Sequence, residues 1–341
     1  MRSVKRGSKP YFPAEWHPQA FVQITWPTAD TDWASTLGEI LECYRRLALT
    51  ISRFEPLIIL AHRPQEVEAC IGQHPDIHII PCPYNDTWAR DYAFISCLAN
   101  GRQEVHDFRF NGWGNKFAAE LDNQTNVHLL PWLQPVDYVD ENDFVLEGGS
   151  IETDGRGTLL ATTTCLLNPN RNPRLSPTDI EQRLCTSLHC RRVLWLHHGH
   201  LIGDDTDAHI DTLARFCSPD TIAYVQCLHP SDEHHDELAR MEAELQSFRT
   251  PGGQPYRLIP LPLPAPIYDH KGQRLPASYA NFLILNGAVL LPTYNQPELD
   301  ARAQRQLQAA FPSRTVIPLD ARALILQHGS IHCATMQNPA P

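Results

Sequence analysis

The sequence lacks the short signatures of several enzyme classes. It contains no GxxxxGK(S/T) phosphate-binding loop, no GxSxG nucleophile elbow and no HExxH zinc motif. Its ten cysteines form no CxxC pair and are scattered, so most of them are expected to be free, buried thiols. No apolar run approaches the roughly 18 residues that indicate a membrane span. Nucleotide binding and the common serine and zinc hydrolase classes therefore have no support.

Composition narrows the possible partners. The N-terminal stretch MRSVKRGSKPYFPAEW is basic but has no apolar core of the kind a signal peptide needs, so a cytoplasmic location is expected. The net charge of −11 argues against nucleic acid or an acidic membrane surface, and favours a cationic substrate. With 42% hydrophobic and 20% charged residues, the 341-residue chain has the composition of a globular protein.

Helices and strands alternate along the chain. Four helix-like stretches are each followed by a short apolar strand: 35–53 and 57–60, 176–188 and 193–196, 232–248 and 257–261, 296–311 and 315–319. Ser176 is a candidate N-cap with Pro177 at the first helical position. This alternation predicts an α/β protein. No convincing linker interrupts it, so residues 1–341 are expected to form one domain.

Polar clusters lie between these pairs. They are marked by Asp91, Glu147, His209, Asn281 and Cys333, separated by 56, 62, 72 and 52 residues. Five similar α/β units in a ring would bring all five clusters to a common axis. The spacing therefore predicts one central site.

Two of the clusters carry candidate catalytic residues. Cys333 follows His332 in SIHC; it is either a buried strand cysteine or a nucleophile, and a thiolate needs a base or a positive charge nearby. In a strand the two side chains would point to opposite faces, so His332 is expected to be a poor base for Cys333. His209 is a better candidate, since Asp211 would share its face of a strand and acids stabilise imidazolium. The alternative is an incidental histidine in an acidic loop.

NDTWARD (85–91) sets Asp86 and Asp91 around Trp88 and Arg90. One interpretation is an exposed turn with a salt bridge. The other is a carboxylate and an aromatic wall that hold a flat cation.

Two glycine-containing stretches and one histidine cluster leave further alternatives. LEGGS places Glu147 before two glycines, which permit close approach to a ligand, and FNGWGNKF places Trp113 between glycines. Each could equally be an ordinary packed turn. The metal-binding alternative rests on four histidines and several nearby aspartates, with HxH spacing but without a recognisable ligand set: His197, His198, His200 and His209.

Seven stretches together resemble the agmatine deiminase and Porphyromonas-type peptidylarginine deiminase family. They run in order from residue 25 to residue 339: TWPTADTDW, NDTWARD, FNGWG, LEGGSIETDGRGTLLATTTCLLNPNRNP, HIDTLARF, ASYANFLILNG and GSIHCATMQNP. The resemblance implies the pentein fold, a fivefold pseudo-symmetric α/β propeller. It also implies hydrolysis of a guanidine without a metal or an organic cofactor.

By this resemblance, Asp91 and Asp211 hold the two edges of a guanidinium and Cys333 attacks its carbon. His209 protonates the departing ammonia and then activates water, while Glu147 orients His209. Asn281 lies near the nucleophile. The remaining expected substrate contacts are Asp86, Trp88 and Trp113.

Agmatine is the favoured substrate, because its ammonium suits an acidic site while free arginine would need a cation for its carboxylate. N-carbamoylputrescine would then be the product, in putrescine biosynthesis, and a homodimer is possible. The alternatives are protein-bound arginine, amidino transfer to an amine, a metal-dependent hydrolase and an inactive protein that binds cationic ligands. Departures from the agmatine deiminase pattern could alter specificity; they lie at Glu152, Asp207, Ala208, Gln327, His328 and Ser330.

Overall fold

The computed structural model describes residues 9–133 and 135–341, which form sixteen strands. Their bounds are β1 Gln19–Thr25, β2 Leu57–Ala61, β3 Ile77–Pro81, β4 Ile95–Ala99, β5 Arg102–Arg109, β6 Asp137–Val145, β7 Ile151–Thr153, β8 Thr158–Thr162, β9 Arg192–Leu196, β10 Ala214–Ser218, β11 Thr221–Gln226, β12 Arg257–Pro262, β13 Leu283–Leu285, β14 Ala288–Thr293, β15 Thr315–Asp320 and β16 Thr335–Pro339. Mixed with helices, they confirm the predicted α/β class.

Helices connect the strands. Their bounds are α1 Leu37–Ile51, α2 Pro64–Ile71, α3 Ala89–Tyr92, α4 Gly112–Asn115, α5 Thr125–Leu133, α6 Thr163–Leu166, α7 Pro177–Ser187, α8 His235–Ser247, α9 Pro297–Ala310 and α10 Arg322–Ile325. Short 3-10 turns lie at Asp32–Thr36, Asp122–Gln124, Gly148–Ser150 and Ile210–Thr212. No helix of the described ranges has the length and apolar character needed to cross a membrane.

The strands form five small sheets that share one plan. In β4-β5-β6, β7-β8-β9, β10-β11-β12 and β13-β14-β15, the first two strands are antiparallel and the third is parallel to the second. In the fifth sheet β16 takes the first place, antiparallel to β1, with β2 and β3 parallel beyond it. Val22 lies opposite Gln337, so the last strand pairs with the first.

The predicted helices and strands are confirmed where the sequence placed them. Each of the four apolar strands lies within β2, β9, β12 or β15, and each helix-like stretch contains α1, α7, α8 or α9. Ser176 caps α7 through a reciprocal capping box with Asp179, which satisfies backbone N–H groups that the first turn leaves free. One face of α1, including Tyr44 and Leu47, is fully buried in the largest core cluster.

The five polar clusters occupy the same place in the plan. Asp91, Glu147, His209, Asn281 and Cys333 each lie within a few residues before the first strand of a sheet: β4, β7, β10, β13 and β16. Because each hairpin begins at the corresponding point of its unit, the five side chains converge. The expectation that His209 and Cys333 lie in strands is wrong, however.

Two of these clusters are turns rather than strands. Cys333 lies in a turn that ends at β16, and His209 is the N-cap of the 3-10 turn Ile210–Thr212. The argument that neighbours in a strand point to opposite faces therefore does not apply to His332. Turns allow side chains close in sequence to reach the same site, as the contacts below show.

Candidate active site

Side chains of two units meet around Gly149 of a third. A Cβ built on this glycine would lie 2.7 Å from His209 Nδ1, 2.8 Å from Asp91 Oδ1 and 3.2 Å from Asp211 Oδ2. No side chain fits between these groups, so a glycine is required although the backbone is not in the left-handed region. The predicted convergence of Asp91, His209 and Asp211 is confirmed.

Cys333 is held by two polar side chains. Asn281 Nδ2 lies 3.2 Å from the Cys333 Sγ, and Asp211 Oδ2 lies 3.7 Å from it. The Asn281 Oδ1 accepts from the backbone N–H of His332 at 2.9 Å, which fixes the turn that carries the thiol. Burial, and then Asp211 and Asp91, raise the pKa of Cys333 well above its usual value. Burial and the two carboxylates therefore favour the protonated thiol over the thiolate.

Asp91 is oriented by two donors. Its Oδ1 accepts from the backbone N–H of Gly149 at 3.0 Å, and its Oδ2 accepts from Trp113 Nε1 at 2.9 Å. Trp113 itself has a φ of 55°, a left-handed conformation that costs a bulky side chain about 1–3 kcal/mol. Burial raises the pKa of Asp91 to about 6, although nearby His209 opposes the shift. The strained backbone of Trp113 thus accompanies an indole N–H that orients the buried carboxylate of Asp91.

Asp211 is the end of a buried chain of ionisable groups. His332 Nδ1 lies 2.7 Å from Asp211 Oδ2, and its Nε2 lies 2.8 Å from Glu15 Oε2. Glu15 in turn pairs with Arg215, and Arg215 pairs with Glu152. The His332 contact opposes the effect of burial and lowers the pKa of Asp211. Glu152, a departure from the family pattern, therefore balances the charge of Arg215.

His209 faces several anionic or polarisable groups. Its Nδ1 lies 3.6 Å from Asp91 Oδ1, beyond hydrogen-bond distance, and neither ring nitrogen has a hydrogen-bond partner among the described residues. Cys165 Sγ and a Glu147 oxygen lie within 4.8 Å of a His209 ring nitrogen. Burial lowers the pKa of His209, but Asp91, Cys165 and Glu147 together raise it well above its usual value.

Glu147 is fully buried and paired with Arg171. Arg171 Nε lies 2.8 Å from Glu147 Oε2, and neither side chain is exposed to solvent. Arg171 also donates from Nη1 to Asp207 Oδ2 at 2.7 Å and from Nη2 to the Thr206 carbonyl at 2.8 Å. Arg171 therefore joins Glu147 to the loop that carries His209. Sequence reasoning missed Arg171 and Cys165, although both lie in the long LEGGSI…NRNP stretch.

A cavity of about 130 Å³ opens above Cys333. Asp91 and Trp113 line its inner part, and Trp88 forms a wall. The Trp88 ring lies 2.3 Å from the place that a Cβ on Gly329 would occupy, so backbone lies directly against the indole. Four further aspartates line the same cavity: Asp32, Asp86, Asp204 and Asp205.

The acidic lining is organised rather than freely solvated. Asp204 accepts from Thr206 Oγ1 at 2.6 Å and from the backbone N–H of Ala208 at 2.7 Å, which shapes the loop before His209. Asp86 accepts from the backbone N–H of Thr87 at 2.7 Å, and burial raises its pKa to about 7. Asp204 and Asp86 therefore form ordered parts of the cavity wall.

The NDTWARD stretch is not an exposed turn with a salt bridge. Arg90 is buried; it donates from Nε to the His332 carbonyl at 3.3 Å and from Nη1 to Met336 Sδ at 3.2 Å. Its guanidinium thus supports the turn of Cys333, while Asp91 and Trp88 face the cavity. Asp91 and Trp88 thus lie together in the cavity lining, and that they hold a flat cation stays a prediction.

Of the remaining departures, Gln327 and His328 line the cavity, while Asp207 and Ala208 lie in the loop just before His209. Asp207, Ala208 and His328 all have positive φ angles between 66° and 67°. His328 Nδ1 lies 2.7 Å from the Gly203 carbonyl, and Gln327 Nε2 donates to the Asp32 carbonyl at 2.8 Å. They therefore shape the loops above the nucleophile. Ser330 lies deeper, with its Oγ 3.3 Å from Tyr294 Oη.

The four histidines of the metal alternative do not gather into one site. Within residues 9–133 and 135–341, His197, His198 and His200 belong to none of the three clusters of potential metal ligands, whereas His209 forms one of them with Glu147 and Cys165. His198 and His200 instead lie 3.4 Å and 3.8 Å from Glu237 on α8.

Comparison with known proteins places the chain in a family. The Porphyromonas-type peptidyl-arginine deiminase family profile matches residues 11–339. The chain belongs to this family. Agmatine deiminase of Stutzerimonas stutzeri is 32% identical over 364 aligned residues, covering 100% of this chain and 98% of that protein.

Solved structures of related proteins are similar over nearly the whole chain. A Porphyromonas gingivalis protein with the provisional name arginine deiminase is 51% identical, with a TM-score of 0.92, covering 97% of this chain and 98% of that one. A cysteine-to-serine variant of C. jejuni agmatine deiminase with substrate bound is 36% identical, with a TM-score of 0.90 and 96% coverage of both chains. These structures confirm the predicted pentein-type α/β fold.

Proposed function

We propose that the protein is an agmatine deiminase, which hydrolyses agmatine to N-carbamoylputrescine and ammonia. The observation that carries the proposal is the acidic cavity above Cys333. Asp32, Asp86, Asp204 and Asp205 line it in addition to Asp91, and no Lys or Arg is found among the described residues of its lining. A substrate with a guanidinium at one end and an ammonium at the other matches this distribution of charge.

The inner carboxylates hold the guanidinium. Asp91 and Asp211 come from different units and converge at Gly149, so they can bind two edges of a flat cation by paired, charge-assisted hydrogen bonds. Asp211 also lies 3.7 Å from the Cys333 Sγ. The cation offsets the two negative charges that raise the pKa of the thiol, and so favours the thiolate at the moment of attack.

The proposed chemistry has two halves. As the substrate cation binds, the Cys333 thiol loses its proton to solvent. The thiolate Sγ then forms a bond to the guanidinium carbon, the carbon–nitrogen bond to a terminal amino group breaks, and His209 supplies the proton that leaves with ammonia. Neutral His209 then takes a proton from water, whose oxygen attacks the amidino-cysteine carbon and releases the thiolate. The elevated pKa of His209 suits the first half, since it provides an acid at neutral pH.

Supporting residues keep these groups in place. Asn281 fixes the turn of Cys333, and Trp113 orients Asp91. Glu147 contributes negative charge near His209 while Arg171 holds its carboxylate. These roles are our assignment, and that residues 1–341 form a single catalytic domain is likewise a proposal. The cytoplasmic location, the homodimer and the putrescine pathway stay predictions.

Free arginine is a poorer match than agmatine. Its α-carboxylate would face the aspartates at the cavity mouth without an arginine or lysine in the described lining to pair with it. Lys116, on the flank, donates from Nζ to the Asp205 carbonyl at 2.6 Å and to Asp207 Oδ1 at 2.8 Å. Its charge is thus already engaged by this loop.

Protein-bound arginine is the second candidate. The family description names peptidyl-arginine, and the 51% identical relative carries an arginine deiminase name. A peptide backbone is neutral at the α-position, so it avoids the repulsion that an α-carboxylate would meet. The cavity of about 130 Å³ instead favours a slender free amine.

A substrate panel tests the proposal. Ammonia release is measured from agmatine, arginine and an arginine-containing peptide with wild type and Cys333→Ala. Agmatine should give the highest kcat/KM, and Cys333→Ala should give none. Asp205→Asn should raise KM for agmatine roughly tenfold by removing a charged partner of the ammonium, whereas exposed Asp220→Asn should not. A higher kcat/KM for the peptide would contradict the proposed substrate.

A further inference from the structure

A second cluster of chemically reactive side chains lies outside the active site. Cys97 Sγ and one ring nitrogen each of His106 and His189 lie within 4.8 Å of one another. Cys97 belongs to β4 and His106 to β5, while His189 follows α7 in the next unit. None of the three residues lines the cavity above Cys333.

The sheet register explains why Cys97 and His106 meet. Cys97 pairs with Glu104 across the antiparallel β4–β5 ladder, and His106 is two residues further along β5. Directly paired residues share a face of a sheet, as do residues two apart in a strand. Cys97, Glu104 and His106 therefore project from the same face. His189 completes the group from a turn with a φ of 52°, the left-handed region.

His106 has an unused nitrogen. The side chain is only 3% exposed, and its Nδ1 lies 3.4 Å from Glu141 Oε1. Its Nε2 has no hydrogen-bond partner among the described residues, and Glu104 Oε2 lies 3.8 Å from it. A buried ring nitrogen without a partner is destabilising, and a bound metal ion would satisfy it. A histidine that binds a metal through one nitrogen commonly donates its other N–H to a carboxylate, which is the arrangement that Glu141 provides here.

His189 has a similar second partner. Its Nε2 lies 2.6 Å from Glu104 Oε2, which orients the ring. The His189 and Glu104 side chains are 28% and 22% exposed, so the cluster has a route to solvent on this side. An ion could enter there, and a water could occupy a fourth position.

We propose that Cys97, His106 and His189 form a zinc-binding site that ties the β4–β5 hairpin to the turn after α7. One thiolate and two imidazoles are ligands that zinc prefers, and three protein ligands leave a tetrahedral ion one place for water. The Cys97 thiol proton would pass to solvent on binding. Ligand atoms within 4.8 Å need only small side-chain movements to reach the spacing of a tetrahedral shell.

Cobalt provides a direct test, since Co²⁺ takes the same tetrahedral site and a thiolate ligand gives it a near-ultraviolet charge-transfer band. The chelator-treated full chain is titrated with Co²⁺ and then with Zn²⁺, and bound metal is measured after dialysis. Wild type should bind about one equivalent, show the thiolate band and lose it on zinc addition. Saturating zinc should also raise Tm.

Matched variants locate the ion. Cys97→Ser should remove the band, and His189→Gln, at a partly exposed position, should weaken binding at least about tenfold without unfolding the chain. Two control variants should bind the metal as wild type does: Cys217→Ser and Cys333→Ala. Cys217 is a buried cysteine on β10, in a different sheet. The proposal would be overturned if wild type showed no thiolate band, if the band survived in Cys97→Ser, or if only Cys333→Ala removed it. Unchanged metal affinity in His189→Gln would also overturn it.

Discussion

Cys333 should react faster with a cationic alkylating agent than with a neutral one. Burial and the carboxylates of Asp211 and Asp91 raise its pKa well above the usual value, so the free protein presents a thiol rather than a thiolate. Iodoacetamide brings no charge to the site and meets this protonated thiol. A chloroacetamidine carries a flat cation that resembles the guanidinium and can lie between the two carboxylates.

The magnitude follows from the charges around the sulfur. A thiol with the usual pKa of about 8.5 is roughly one-tenth thiolate at pH 7.5, and each unit of elevation removes a further tenfold. A charge within about 4–6 Å shifts a pKa by about 1–3 units. Neutralising the carboxylates should therefore speed alkylation by roughly 10- to 1,000-fold, relative to the rates of the two reagents with a free thiol.

The assay follows modification of the Cys333 peptide by mass spectrometry over time, since nine other cysteines are present. Asp211→Asn should increase the iodoacetamide rate, because it removes a charge that opposes the thiolate, and should decrease the preference for chloroacetamidine. Equal normalised rates for the two reagents in wild type would refute the reasoning. So would a slower iodoacetamide reaction in Asp211→Asn.

Three further results are expected. Gly149→Ala should lower kcat at least about 100-fold, because its Cβ would lie 2.7 Å from His209 Nδ1, while Gly38→Ala, with open space in α1, should keep activity. Deletion of residues 335–341 should prevent folding by removing β16 from β1, whereas loss of exposed Pro341 should be tolerated by circular dichroism. Asp122→Asn should raise Tm at pH 8 but not at pH 4, since burial raises the pKa of Asp122 from 3.8 to about 7 and stability is lost as pH rises through that range.

Each of these has an outcome that contradicts it. Full activity in Gly149→Ala would mean that the three polar groups do not need their observed spacing. A folded, active chain without residues 335–341 would show that closure of the fifth sheet is dispensable. A Tm difference for Asp122→Asn that is the same at pH 4 and pH 8 would exclude ionisation of Asp122 as its cause.

Periodicity was sufficient to predict much of the fold. The α1, α7, α8 and α9 helices and the strands after them have apolar patterns that local sequence carries. The ring of five clusters was also readable, since each cluster precedes the first strand of its sheet. The geometry of the turns could not be predicted from local sequence. His209 and Cys333 lie in turns, and long-range contacts decide which way such side chains point.

The supporting residues of the site show the same limit. The position of Cys333, His209 and the carboxylates could be predicted from their motifs. Glu15 is 317 residues away from its partner His332, and no local pattern connects them. Arg171 lies in a recognised stretch, but its pairing with Glu147 depends on two turns meeting in space. Long-range ion pairs therefore required the structure.

A covalent intermediate on Cys333 is the central claim of the proposed chemistry. Wild type is mixed with agmatine, quenched in acid during turnover and analysed as the intact protein and as peptides. The mechanism predicts an adduct with the mass of agmatine less ammonia, on the peptide that contains Cys333 and absent from Cys333→Ala. Product formation by Cys333→Ala, or an adduct on the Cys165 peptide instead, would contradict it.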